Sequence, residues 1–374
     1  MTVPHNAEQM GTGPNSPLEP RRTLVLGTSP MARELAQAYQ RLGNEIQTGT
    51  VSQAREFRPQ LIATTGDSPD ALAEVAAVAE ETGAEVAPSV SACHHTADRL
   101  AVRKQASEEL GLPTLDYEFA STPQEMQDAI ERIGYPCVVK APTSNDGEGF
   151  SFVRSSGDLA VAWSNADRGV GQGAVVERFI DFDFECTILA ARSIDPETGQ
   201  LATWFCEPIG THHREGRLVE AWQPAPLPQG AMDNARSIAA RITGALASCG
   251  VFSIELFVSG DDVYFSQVTP RPSRDGLVTL ATQRVNQFDL QARATQKLPI
   301  DSTLVSPGAV RFLPGVRPSL EAIAAAMAVE ETTVRLLNDD TLIFSTADSA
   351  AEARVRTDNA ARAMKKAQEN GIEG

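Results

Sequence analysis

One segment narrows the fold more than any other. A short apolar run, Cys137-Val138-Val139-Lys140, is followed seven residues past its lysine by Gly147-Glu148-Gly149, and then by a second strand-like run, Phe150 to Arg154. A glycine loop that entered a helix would be a P-loop, whereas one that returns as a strand is a hairpin. Glycines in such a loop let backbone N–H groups approach anionic oxygens. Alone, a Gly-x-Gly hairpin is an ordinary turn, and a lysine at a strand end is equally a solvated terminus, so the surroundings have to decide.

Upstream, Thr23-Leu24-Val25-Leu26-Gly27 reads as a strand and Met31 to Leu42 as a helix. Leu61 to Thr64, the alanine-rich stretch Pro69 to Thr82 and Glu85 to Pro88 repeat the alternation. Strand–helix alternation predicts a parallel sheet, hence a Rossmann-like α/β domain over 19–111. Residues 1–18 read as a loose, flexible tail without the apolar core of a signal peptide. A second domain is expected over 112–305, with a small lid over about 112–180: helix Pro123 to Ile133, the glycine hairpin, helix Ser156 to Asn165 and strand Ala174 to Phe179. Beyond it comes the hairpin Phe252 to Val258 and Val263 to Val268. Residues 306–374 read as a small β-rich C-terminal domain ending in helix Ala350 to Gln368.

A formal charge of −17 argues against nucleic-acid or anionic-membrane partners, which are held by clustered cations. The five scattered cysteines form no Cys-x-x-Cys pair, so reduced, mostly packed thiols and a cytoplasmic setting are expected. His94-His95 and His212-His213 read as solvated loop rather than metal ligands, since adjacent side chains point different ways.

Several carboxylates stand where chemistry needs them. Val175-Val176-Glu177-Arg178-Phe179-Ile180 and Phe182-Asp183-Phe184-Glu185 place acids at strand ends, where they accept from an adenine amine or ribose hydroxyl or simply form a charged edge. Glu255 and Gln267, twelve residues apart across the second hairpin, are expected on neighbouring strands, facing the same side. A carboxylate in the apolar run Ser253-Ile254-Glu255-Leu256-Phe257 needs a partner: either magnesium, which takes oxygen ligands and few protein carboxylates, or a core arginine.

In order, Tyr135-Pro136 through Lys140, Gly147-Glu148-Gly149, Val176-Glu177, Phe182 to Glu185, Glu255-Leu256-Phe257-Val258 and Thr269-Pro270-Arg271-Pro272 resemble the ATP-grasp superfamily. Within it the chain is most similar to formate-dependent glycinamide ribonucleotide transformylases, with carboxyaminoimidazole ribonucleotide synthases as cousins. The likeness covers about residues 20–312. It implies an α/β ATP-grasp fold, ATP and Mg²⁺ as cofactors, small-molecule carboxylate and amine substrates, and a homodimer. By position, it implies that Lys140 and Arg99 contact the phosphates and that Asn145, Asp146, Gly147, Glu148, Gly149 and Phe150 form a loop closing over ATP. Glu177, Arg178, Phe179 and Ile180 would form the adenine linker, Glu185 would bind ribose, Glu255 and Gln267 would bind metal, and Arg271 would steady the transferring group. Such phosphoryl transfer works mainly by positioning and charge neutralisation.

The chain also departs from the family pattern. Gln267 replaces a carboxylate and Glu148 a basic residue. Gly27-Thr28-Ser29-Pro30, Thr65-Gly66-Asp67-Ser68 and Ser273-Arg274-Asp275-Gly276 are altered. No lysine and arginine pair for a ribonucleotide phosphate is present around Arg335 to Asp340. The resemblance with these departures implies an acyl-phosphate-forming enzyme with an altered acceptor, or else a catalytically impaired nucleotide-binding regulator or scaffold.

Overall fold

The structure, a computed structural model, describes residues 20–66, 71–143, 149–214 and 216–370; the tail read over 1–18 lies outside these. Its first four strands, β1 (Arg22–Leu26), β2 (Glu45–Gly49), β3 (Leu61–Thr64) and β4 (Glu85–Ala87), pair in parallel in the order β2-β1-β3-β4. Helix Pro30–Arg41 starts where local chemistry dictates. Ser29 accepts from the Ala32 N–H at 3.1 Å, and Pro30 occupies the first turn, where its missing N–H has no intrahelical partner to lose. Leu35 and Tyr39 on its inner face share one core with Phe288 of helix Gln287–Thr295 and with Val251 and Phe312 of the largest sheet. Leu35 and Phe288 are fully buried, each contributing about 1.5–3 kcal/mol. The Tyr39 hydroxyl meets Thr295 Oγ1 at 2.8 Å, which gives its one polar atom a partner.

The second sheet is antiparallel, with β5 (Tyr117–Ala120), β6 (Cys137–Lys140), β7 (Ser151–Val153) and β8 (Ala174–Arg178) ordered β5-β8-β6-β7. The expected glycine hairpin is β6–β7, with Val138 opposite Phe152. Helix Pro123–Ile133 keeps its sequence bounds, capped by Thr122, which accepts from the Glu125 N–H; its Met126 and Ile130 pack on Val139 and Val176. The helix expected from Ser156 to Asn165 instead opens as a tighter turn, Ser156–Asp158, before Leu159–Asp167. The cause is Asp158, whose carboxylate folds back onto the N–H groups of Arg154 and Ser155 at 2.9 and 3.0 Å.

The remaining strands are β9 (Phe184–Ile194), β10 (Leu201–Phe205), β11 (Ile209–Arg214), β12 (Arg217–Gln223), β13 (Gly250–Ser259), β14 (Asp262–Thr269), β15 (Gly308–Leu313), β16 (Thr332–Leu337) and β17 (Asp340–Thr346). They build one nine-stranded sheet, β14-β13-β9-β11-β12-β15-β17-β16, with β10 beside β9. The strands after residue 306 therefore continue this sheet, through Glu220 opposite Arg311. Helix Gln229–Ala245 covers one face, setting Ala235, Ile238 and Ile242 against Ile188, Phe252 and Ile254. In the hairpin β13–β14, Glu255 lies directly opposite Gln267, and the register slips by one residue immediately afterwards. Such a bulge bends the strand and re-aims side chains. The five cysteines are free; four are buried and Cys249 is half-buried.

Candidate functional site

The three sheets meet around a cleft of about 1230 Å³ whose walls bring together Arg99, Lys140, Phe150, Glu185, Glu255, Gln267 and Arg271, with Glu177 to Ile180 along one side. Asn145, Asp146, Gly147 and Glu148 lie outside the described residues, as do Asp67 and Ser68. Gly149, which closes the loop, has φ +73, and a Cβ there would lie 2.5 Å from that of Ala141, so only glycine fits.

Lys140, ending β6, donates to Glu177 Oε2 at 2.6 Å, and Arg103 donates to Glu177 Oε1 at 2.5 Å and to the Phe265 carbonyl at 2.7 Å. Glu177 and Arg103 are almost wholly buried. Burial pushes the Glu177 carboxyl up, but Arg103 and Lys140, with Arg99 behind them, hold it at about 2. Lys140 is thus aimed rather than neutralised, because an ammonium held once has two donors left for a ligand. Arg99 follows Asp98, whose carboxylate caps helix Arg99–Lys104 by accepting from the N–H groups of Leu100 and Ala101. Arg99's charge is felt by both Glu177 and Glu255, which sets it between the lysine and the acidic floor.

Arg271 donates from Nε to the Thr65 carbonyl at 2.8 Å. Gly66, at φ +85, makes this possible, since a Cβ there would stand 2.3 Å from Arg271 Nε. Along the lid edge Phe179 meets Phe152 edge to face, centroids 5.0 Å apart, while Phe182 stacks obliquely on Phe257 at 4.8 Å. Arg178 turns outward to Asp116 at 2.7 Å, and Ile180 is half-buried on the cleft wall.

Three adjacent strands carry the floor. Glu255 on β13 stands between Thr187 on β9 and Gln267 on β14, each directly opposite it. Among the described residues Glu255 has neither hydrogen-bond nor ion-pair partner, and burial followed by the nearby Asp275 pushes its carboxyl upward. An unpartnered carboxylate beside an amide oxygen is a hard oxygen donor set of the kind Mg²⁺ takes alongside phosphate oxygens. Among the described residues no three His, Cys, Asp or Glu side chains form a metal cluster of their own.

An ATP-grasp domain model matches residues 105–288. The formate-dependent phosphoribosylglycinamide formyltransferase of Corynebacterium efficiens is 44% identical, with 96% of this chain and 98% of that protein covered. That of Rhodococcus jostii is 41% identical over 84% of this chain and 86% of its own. This chain belongs to the formate-dependent phosphoribosylglycinamide formyltransferase family of ATP-grasp proteins. A solved Mycobacterium tuberculosis family member, glycinamide-RNase-transformylase T, superimposes with TM-score 0.78 at 32% identity, covering 92% of this chain and 99% of that one. The N5-carboxyaminoimidazole synthase of Aspergillus clavatus, solved with ADP and its ribonucleotide, shares the fold alone: TM-score 0.79 at 18% identity over 93% and 99% of the two chains.

Within this formyltransferase fold, three residues in or directly behind the cleft were not assigned from the sequence. His213 is not loop, as expected, but sits in β11, where its Nδ1 lies 2.8 Å from Glu185 Oε2 while His212 faces outward. Burial would lower the imidazole, yet Glu185, then Asp275 and Glu255, raise it to about 9, so it is a cation at neutral pH. The alternation of a strand was the signal available for it. Arg103 and Asp275, both buried, carried no local signal, because their partners lie 74 and 88 residues away in sequence. Among the described residues no helix is long and apolar enough to cross a membrane.

Proposed function

We propose that this protein binds MgATP in the cleft, activates a small carboxylate as an acyl phosphate and passes the acyl group to an amine. The convergence of Arg99, Lys140, Glu185, Glu255 and Arg271 on one cleft carries this reading, in a chain 44% identical to a formate-dependent formyltransferase. Kinship makes formate the first donor to test. Arg99 and Lys140 would hold the phosphates, Glu185 a ribose hydroxyl, and Glu255 with its neighbours the metal, which supplies neutralising charge at the transferring phosphoryl group. Arg271, fixed through Thr65, would steady that group. The apolar side chains Val138, Phe152 and Ile180 offer the purine a dry wall.

One observation favours a changed amine acceptor as the second reading. Arg274, a cation on the cleft wall, is committed to Asp340 at 2.6 Å and lies 5.2 Å from the centroid of the Phe312 ring; Arg335 is paired with Glu34 at 2.9 Å. A ribonucleotide phosphate would have to break such pairs, forgoing charge-assisted bonds of about 1.5–3 kcal/mol each. The test is ADP release from ATP with formate, with and without glycinamide ribonucleotide. Turnover of about 1–10 per second at micromolar acceptor would establish the first reading with the family's acceptor. Formate-dependent ADP release that ignores this acceptor establishes the second, and ATP stability under all conditions refutes both.

A further inference from the structure

The acidic floor holds a second carboxylate that the family pattern does not call for. Asp275 opens the short helical turn Asp275–Val278 and is buried to 8% exposure. Its Oδ2 accepts from Thr187 Oγ1 at 2.7 Å, and Thr187 is the β9 residue directly opposite Glu255. Residues directly opposite on antiparallel strands have Cβ atoms about 4.5–5.5 Å apart. Asp275 therefore approaches Glu255 from the β9 side, as Gln267 does from the β14 side.

The turn that presents Asp275 is laced to the same strands. Ser253 Oγ, two residues before Glu255 on β13, donates to Ser273 Oγ at 2.8 Å. The Gln287 side chain takes the Ser273 N–H at 3.0 Å and reaches its carbonyl at 2.9 Å. Among the described residues Asp275 Oδ1 has no hydrogen-bond partner, and Glu255 has none on either oxygen. Two acids, one without any partner and the other with one oxygen unpaired, thus share a buried floor.

We propose that Asp275, with Glu255, supplies the second protein carboxylate to the metal ion that enters with the nucleotide, the charge that Gln267 lacks being delivered from the opposite flank of Glu255. This rests on the MgATP reading above and assigns the metal's ligands within it. Two carboxylates give a divalent cation attraction that a carboxylate and an amide dipole do not match. Gln267 is left as a neutral oxygen donor or a spacer. The His213 imidazolium and Arg99 face Glu255, and His213 with Arg274 faces Asp275.

Mn²⁺, whose unpaired electrons report binding directly, serves as the probe. Wild type, Asp275→Asn, Gln267→Ala and the double variant Asp275→Asn/Gln267→Glu are titrated with Mn²⁺ by electron paramagnetic resonance at saturating ADP. ADP affinity without metal is measured in parallel. Asp275→Asn is expected to weaken Mn²⁺ at least tenfold, Gln267→Ala less than threefold, and the double variant to regain most of the loss by moving the carboxylate across Glu255. Melting temperature without metal should stay level or rise in Asp275→Asn, because neutralising one of two adjacent buried acids removes their repulsion; this excludes misfolding as the cause of lost Mn²⁺. Unchanged Mn²⁺ affinity in Asp275→Asn, or an equal loss in Gln267→Ala, overturns the assignment while leaving the nucleotide site intact. Failure of wild type to bind ADP at all overturns the nucleotide reading and this proposal together.

Discussion

Replacing Glu177 with glutamine isolates the buried charge network that aims Lys140. The carboxylate joins Arg103 and Lys140 at 2.5 and 2.6 Å with only a few per cent of its side chain exposed. Its folded pKa of about 2 lies below the ordinary 4.5, a gap worth about 3 kcal/mol at 1.36 kcal/mol per unit. Removing one member of a buried pair costs about 3–5 kcal/mol in general, because the remaining charges stay buried, so the two magnitudes agree. Because the folded pKa is depressed, the stabilisation is fully present above the unfolded value and is lost as pH falls from about 4.5 towards 2. Glu177→Gln should accordingly lose about 3 kcal/mol at pH 7, a fall of roughly 4 °C in the melting transition of a chain this long. The gap from wild type should narrow by about 1–1.5 kcal/mol by pH 3.5. Calorimetry of both proteins at the two pH values decides. A loss under about 1 kcal/mol at pH 7, or a gap that widens in acid, would refute the reasoning.

Other consequences are equally direct. MgATP at about 100 times its dissociation constant should stabilise wild type by about 2.7 kcal/mol, and Lys140→Ala should show little of that shift; no shift in wild type at millimolar ATP sinks the site. The His213 imidazole, raised to about 9, stabilises the fold fully below pH 6.5 and loses that effect as pH rises through 9. Denaturant unfolding should therefore show about 3 kcal/mol less stability at pH 9.5 than at pH 6, a difference that His213→Asn abolishes; an identical slope in the variant counts against the pair with Glu185. Gly66→Ala puts a Cβ into the Arg271 guanidinium at a positive φ. It should lower stability by about 1 kcal/mol and turnover by about 100-fold, so an active Gly66→Ala protein would show that Arg271 does not need its anchor.

Much of this architecture is written locally. The Thr122-Pro123 cap fixes where its helix starts, and strand–helix alternation after Thr23 gives the parallel sheet without any distant contact. That β13 and β14 pair as a hairpin was legible too, because two apolar strand runs flank a short turn, but the direct opposition of Glu255 and Gln267 depends on the one-residue register shift beside Glu255, which strand period alone does not give. Relations across long loops were not. Arg103 reads as one more polar position on a short helix, yet in space it is half of the pair that holds Glu177. His213 gains its charge from Glu185, an acid on the neighbouring strand 28 residues away. Asp275 meets Thr187 only because the turn after Arg271 folds back over β9 and β13. Sequence determined most of the elements and singled out the residues proposed to bind nucleotide. Only the tertiary structure decided which charges face one another, because burial and Coulomb interaction depend on distance in space and not along the chain.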